Sequence, residues 1–526
     1  MAFLLHQLLE ESAHRHPERA AVIFGDRTLT YRELDLATDR FAGLLVDVGI
    51  PTGGLVGIHL RRGVDALIAM IGTLKAGAVY VPLDPQSPAS RLRLIVDTCR
   101  IELVATAREG VAGLDDALAG ASSVGSIVVM DGTRLDESTR GGPTLVDWTT
   151  LGRADRGRPG TPSSVDIDPA YVLFTSGSTG APKGVVISHL NALTFINAAS
   201  ELFGISENDR LSQVCPLQSD MSVFDVYVAL KAGAGIVVIP EMTAMFPVKL
   251  AQAISEGRIT VWNSVPSALA SLASLAGLES HDLASLRLVL FAGEVFPPKP
   301  LRRLMTAVPG ARFCNMYGQT EANSSTYHWV ADMPEESRGP IPIGKALPNF
   351  DVFAIGPDGQ RVVAPGDEGE LHVRSSTVAI GYWDDPVRTA GAFVTDPVDT
   401  GCGGRVYKTG DIVRLDENGE FVFVGRRDLM VKSRGYRIEI DEIEGVLRHH
   451  PAIRNAAVIP IPDERIGNRL SAFIELAAPA ALSRDEVVAY CAAELPRYMV
   501  PDEITFRDAL PLTPSGKIDR QRLAQP

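Results

Sequence analysis

Residues 175–184 read Thr175-Ser176-Gly177-Ser178-Thr179-Gly180-Ala181-Pro182-Lys183-Gly184, set between the apolar runs 171–174 and 184–187. Gly177, Gly180 and Gly184 let the backbone approach an anion closely, while the hydroxyls and Lys183 supply donors and positive charge. The stretch has the chemistry of a loop that wraps phosphates. It is not the GxxxxGK[ST] loop, because Pro182 stands where that pattern needs glycine and Gly184 where it needs Ser or Thr. The alternative is a flexible Gly/Ser linker, but a linker has no use for Pro-Lys-Gly between two strand-like runs.

Working outward, Ser188 opens an apolar-periodic helix as its N-cap. Further strand-like runs fall at 236–239, 259–262, 286–291 and 312–316, each separated by helix-like sequence. Such alternation gives an α/β fold with parallel sheets and covering helices. Ligands in such folds bind beyond the carboxyl ends of the strands, which nominates Asn263, Ala292 and Met316. Residues 132–168 are rich in Gly, Arg, Asp, Ser, Thr and Pro and read as a solvated connection. After Gly425-Arg426-Arg427-Asp428 the remainder reads as a separate α+β unit, with a capping box of Ser483 and Glu486 heading one helix.

With 526 residues and 45% hydrophobic content, the chain divides into more than one domain with sizeable cores. Five cysteines lie far apart with no CxxC spacing, so neither a disulfide framework nor a zinc site is indicated. The first residues lack a basic segment and turn acidic at once, and no apolar run nears the roughly 18 residues of a membrane span. A cytoplasmic protein is expected. The formal charge of -14 disfavours nucleic acid as a partner.

Several motifs follow one another along the chain. They are Leu29-Thr30-Tyr31-Arg32-Glu33-Leu34, Leu74-Lys75-Ala76-Gly77, the glycine loop, Asn315-Met316-Tyr317-Gly318-Gln319-Thr320-Glu321, Tyr407-Lys408-Thr409-Gly410-Asp411, Gly425-Arg426-Arg427-Asp428, Val431-Lys432-Ser433-Arg434-Gly435-Tyr436-Arg437 and Pro514-Ser515-Gly516-Lys517. This ordered set resembles the amino-acid adenylation enzymes of nonribosomal peptide synthesis, within the superfamily of acyl-CoA synthetases and luciferases. The resemblance implies an adenylate-forming ligase using ATP and Mg²⁺. It would have a large N-terminal domain (1–427) and a small mobile α+β C-terminal domain (428–526), with a hinge at Asp428.

Phosphoryl-type transfer is catalysed mainly by positioning and charge stabilisation, so the site needs cations and donors around the phosphates. The resemblance makes Lys517 the lysine that bridges the substrate carboxylate and the α-phosphate, with Lys183 as a second catalytic cation. It gives Thr175, Ser176, Gly177, Ser178, Thr179 and Gly180 to the phosphates and Asn315, Met316 and Tyr317 to the adenine, with Gly318 and Thr320 also among the cofactor-binding residues. Asp411 would take the ribose hydroxyls, Arg426 would make a second nucleotide contact, and Glu321 would help hold Mg²⁺. In a second pose the loop 432–437 would approach the site as Lys517 leaves.

Asp220 corresponds to the aspartate that pairs with the substrate's α-ammonium group. A carboxylate in an apolar pocket needs a cationic partner, although an aspartate there could instead cap the following helix. The other pocket positions are Met221, Phe224, Asn263, Leu290, Ala292, Gly293, Met316, Ser324 and Ser325, with Phe224, Leu290 and Met316 taking up volume. This favours a small amino acid, alanine first, and leaves glycine, serine, cysteine and small β-amino acids open. Gln319 departs from the proline usual in amino-acid enzymes. The acceptor expected is a separate carrier protein, through its phosphopantetheine thiol or an aminoacyl group already on it. An acyl-CoA synthetase acting on a small carboxylic acid is the alternative.

Overall fold

A computed structural model describes residues 2–119, 123–131, 142–148, 163–177, 181–331, 340–398, 404–427, 429–463, 465–477, 482–511 and 518–524. Ser178, Thr179, Gly180, Asp428 and Lys517 lie outside these residues.

Two large sheets dominate the described residues. The first has eight strands, with Leu55–His59 flanked by Val79–Pro82 and Leu103–Thr106, and with parallel pairing running on to Ser126–Val129 and Thr144–Asp147. On its other side Pro169–Thr175 pairs antiparallel with Lys183–Ser188, so the glycine loop is the tip of a hairpin on a parallel sheet. The second sheet has nine strands. Its centre is parallel, from Ala20–Phe24 through Gly235–Val238, Arg210–Gln213, Val261–Ser264 and Leu288–Ala292 to Arg312–Gln319. Asn323–Val330 then pairs antiparallel with Arg312–Gln319. The central strands are nearly continuous apolar runs, as strands covered on both faces must be.

Thr144–Asp147 corrects the reading of 132–168 as connection alone. Its Thr-Leu-Val-Asp is short and preceded by Gly142 and Pro143, and it gains strand character only by adding to Ser126–Val129. Helix Val64–Lys75 is buried on nearly every side and is apolar all round accordingly. Its last residue, Lys75, is spent on Asp35 at 2.5 Å and Asp39 at 2.6 Å, which makes it a structural cation. Helix His189–Leu202 starts at Ser188 through a reciprocal capping box closed by Asn191.

A five-stranded antiparallel sheet follows, in which Arg405–Leu415 is flanked by Glu368–Arg374, Phe393–Thr395 and Phe421–Arg426. Beyond it, the hairpin Met430–Ser433/Tyr436–Glu439 leads into helix Ile440–His449 and a three-stranded sheet with its own apolar cluster around Ile443, Val458, Leu470 and Val487. Helix Arg484–Glu494 begins at the Ser483/Glu486 capping box. Among the described residues no helix is long and apolar enough to cross a membrane.

Candidate active site

The hairpin Pro169–Thr175/Lys183–Ser188 sets Lys183 opposite Thr175 and aims its ammonium at Glu321. Lys183 Nζ donates to Glu321 Oε1 at 2.8 Å and to the Tyr382 hydroxyl at 3.1 Å, and it lies 4.5 Å from the centre of the Tyr382 ring. Tyr382 donates to the same Glu321 oxygen at 2.8 Å. Glu321 also pairs with Arg437, whose Nη1 lies 3.0 Å from Oε2. Burial alone would raise the Glu321 carboxyl, but Arg437 and Lys183 hold it far below the usual carboxylate range. Burial pushes the Lys183 ammonium down.

The described part of the glycine loop is engaged by the C-terminal region. Ser176 Oγ donates to the Arg437 carbonyl at 2.8 Å and accepts from the Glu439 amide at 3.1 Å. The Gly177 amide donates to Glu442 Oε2 at 3.1 Å, and Arg91 pairs with the other Glu442 oxygen at 2.6 Å. A Cβ at Gly177 would fall 1.9 Å from the Ala181 carbonyl oxygen, so the turn needs glycine. The Thr175 hydroxyl is buried with no hydrogen-bond partner among the described residues. An orphaned hydroxyl beside a glycine turn, with Lys183 and a hard carboxylate near, fits a phosphate and a divalent cation.

A cavity of about 610 Å³ lies beyond, lined by Asn315, Met316, Tyr317, Asp411, Arg426 and Lys432 among others. Strand pairing sets Asp411 opposite Arg426, and the two form an ion pair. The Tyr317 hydroxyl donates to Asp411 Oδ2. Gln319 Nε2 donates to the Tyr317 hydroxyl at 2.6 Å and to Asp411. Asn315 is anchored by its amide on the Pro342 carbonyl at 2.8 Å. Gly318 is required where the strand turns, since a Cβ there would meet Asn323 O at 1.8 Å. Lys432 Nζ lies 6.0 Å from the centre of the Tyr317 ring, and burial pushes its ammonium down.

The expected acid pocket is only partly assembled around this cavity. Met316 and Gly293 line it, while Asp220, Met221, Phe224, Asn263, Leu290, Ala292, Ser324 and Ser325 do not. Register places Asn263 beside Leu290 and Ala292 beside Met316, at the carboxyl ends of neighbouring parallel strands. Leu290 is fully buried and Phe224 packs edge-on to Phe203, so both act first as core. Asn263 Nδ2 donates to Asp225 at 2.9 Å and to the Met221 carbonyl at 3.3 Å. Ser325 is spent on the Ala322 and Asn323 carbonyls, and the Ser324 amide on the Asn323 side chain.

Asp220 precedes the short helix Met221–Val223 without capping it through its side chain. Burial raises its carboxyl above the ordinary value, opposed in part by the Lys432 ammonium and the Thr320 hydroxyl. Sequence reading had no signal for Asp225 or Tyr382, whose partners stand 38 and 61 residues away. Arg437 lay in a recognised motif that gave no hint of its hold on Glu321.

Residues 9–383 match the family model described as AMP-binding enzyme, and residues 442–517 match AMP-binding enzyme C-terminal domain. The chain is 37% identical over 525 residues to an L-proline--[L-prolyl-carrier protein] ligase of Pseudomonas fluorescens, covering 99% of each chain. To the ligase of the same name from Streptomyces coelicolor it is 36% identical, with 98% and 95% covered. Among solved structures it resembles NpsA-ThdA, an artificially fused adenylation-PCP di-domain from Klebsiella oxytoca, with a TM-score of 0.80 and 26% identity over 96% of this chain and 93% of that one. With the family matched over most of its length and the nucleotide motifs gathered around one site, the chain belongs to the AMP-binding enzymes and is an adenylate-forming ligase that works with ATP and Mg²⁺.

Proposed function

We propose that this chain activates a small amino acid as its aminoacyl adenylate and passes the aminoacyl group to a carrier protein. The observation that carries the reading is the half-buried Asp220 carboxylate at the head of helix Met221–Val223, close enough to Thr320 of the nucleotide motif and to Lys432 to feel both, where a substrate ammonium would find its counter-charge. The carrier-protein ligases among the relatives support the acceptor.

In the first step a substrate carboxylate oxygen attacks the α-phosphorus of ATP, the bond to the bridging oxygen breaks, and pyrophosphate leaves. Lys183 and the amides and hydroxyls of the glycine loop, including Ser178, Thr179 and Gly180, neutralise the charge that builds on the phosphates. Lys517 bridges the carboxylate and the α-phosphate. Mg²⁺ would be held by Glu321 and supplies divalent charge against the phosphate oxygens. Tyr317, Asn315 and Met316 flank the base, while Asp411 and Arg426 position the ribose. In the second step a phosphopantetheine thiolate attacks the acyl carbon and the bond to the AMP oxygen breaks. For that step residues 428–526 turn about Asp428 against residues 1–427, bringing the loop 432–437 to the site. The contacts of Arg437 and Glu442 with Glu321 and Gly177 match this second arrangement.

Alanine is the first substrate, from the bulk of Phe224, Leu290 and Met316 at the expected pocket positions, of which Met316 lines the cavity. Proline is the second reading, favoured by two relatives that are named for it. The test is ATP–pyrophosphate exchange with alanine, proline, glycine, serine, cysteine, small β-amino acids and their desamino analogues. Exchange with alanine or proline and not with propionate supports the reading, whereas exchange with desamino acids alone would show an acyl-CoA synthetase. Lys517→Ala is expected to cut exchange at least 100-fold.

A further inference from the structure

The hairpin Met430–Ser433/Tyr436–Glu439 turns through Arg434 and Gly435, both with left-handed backbone, φ 53 and +80. This is the geometry of a type I′ turn. Its tip is pressed into the N-terminal region, where a Cβ on Gly435 would lie 2.5 Å from Val265 Cγ1. Glu294 waits there. Its Oε1 accepts from the Gly435 amide at 2.6 Å, and its Oε2 accepts from the Ser267 amide at 2.9 Å, in the first turn of helix Pro266–Leu275. Gly467 passes the same carboxylate so closely that a Cβ there would sit 3.3 Å from Oε1.

One carboxylate thus joins an amide of the large region to an amide of the hairpin that brings Lys432 and Arg437 to the site. We propose that Glu294 is a positioning residue for acyl transfer, which acts by seating this hairpin in the arrangement needed for the second step. The inference rests on the two-step reading above. When the hairpin withdraws for adenylation, the Gly435 amide loses this acceptor and Glu294 keeps only Ser267. The contact therefore favours one pose over the other, as a device that biases a two-state element must. Neutralising the carboxylate does not suffice to mimic it. A glutamine offers one acceptor oxygen for two amides and turns its NH₂ toward the second.

The experiment compares Glu294→Ala and Glu294→Gln with wild type in two assays. One is amino-acid-dependent ATP–pyrophosphate exchange, and the other is single-turnover transfer from the preformed adenylate to free pantetheine. The ratio of transfer to exchange is expected to fall tenfold or more in Glu294→Ala and by a smaller factor in Glu294→Gln. Gly435→Ala breaks the same seat from the other side, so the double variant should lower the ratio no further than the stronger single one.

A ratio unchanged in Glu294→Ala overturns the inference, as does a double variant whose effects multiply. If Glu294→Ala does not fold, Glu294→Gln decides by the same ratio. Wild-type protein that shows no exchange with any amino acid would instead sink the proposed function, which separates the two failures.

Discussion

Gln319 stands where amino-acid enzymes usually carry proline, and its amide ties the Tyr317 hydroxyl to the Asp411 carboxylate. A hydrogen bond to a charged group is worth about 1.5–3 kcal/mol, and part of that is spent here on orienting the two residues expected to meet the nucleoside. Gln319→Leu should raise KM for ATP about tenfold, roughly 1.4 kcal/mol, and leave KM for the amino acid within about twofold by the same measure. Discrimination between ATP and 2′-deoxy-ATP should narrow with it, which a mere loss of folded enzyme would not produce. Lys183, Glu321, Tyr317 and Asp411 could be nominated from the sequence because each stands at a fixed place in an ordered motif. Asp225, Tyr382 and Glu294 were not, since each is given its role by a partner that the fold brings from 38 to 141 residues away.

At the scale of elements, the π-turn Phe224–Val228 holds Asp225 fully buried against the end of strand Val261–Ser264. Burial raises the Asp225 carboxyl from 3.8 to about 8, despite the amide of Asn263. Folded protein therefore keeps a proton on Asp225 at pH values where the unfolded chain has lost it. The resulting stability is full below about 4 and lost as the pH rises to about 8, at up to about 1.4 kcal/mol per pH unit. Thermal unfolding followed from pH 5 to 9 should show that decline in wild type and a flatter profile in Asp225→Asn. The helix starts at Ser188 and Ser483 were readable because a cap is a local pattern. Strand Thr144–Asp147 was not, because its pairing with Ser126–Val129 is what makes it a strand.

At the scale of the whole molecule, the alternation of strand-like and helix-like runs predicted the parallel sheets, and the ordered motifs a C-terminal unit that reaches the site. Which of two arrangements the chain adopts was beyond them, because that balance depends on contacts between distant segments. Here Arg437 takes Glu321 and Glu442 takes the Gly177 amide. On the proposed site assignments Mg²⁺·ATP would have to displace both to bind in the first step, and an affinity measured against a partly closed population is reduced by that fraction. Arg437→Ala should accordingly lower the apparent KM for ATP in exchange several-fold while slowing pantetheine acylation. Equal losses in both assays would refute this account.

The Gly177 amide is taken by Glu442, and the Glu321 oxygen left over by Lys183 and Tyr382 is taken by Arg437. On the proposed two-step reading a diphosphate by-product with its cation would want the same two places as the incoming hairpin, so that thioesterification would begin only once the first leaving group has diffused away. The order of events would thereby be enforced by occupancy, and accumulated inorganic pyrophosphate would stall the enzyme between its two steps.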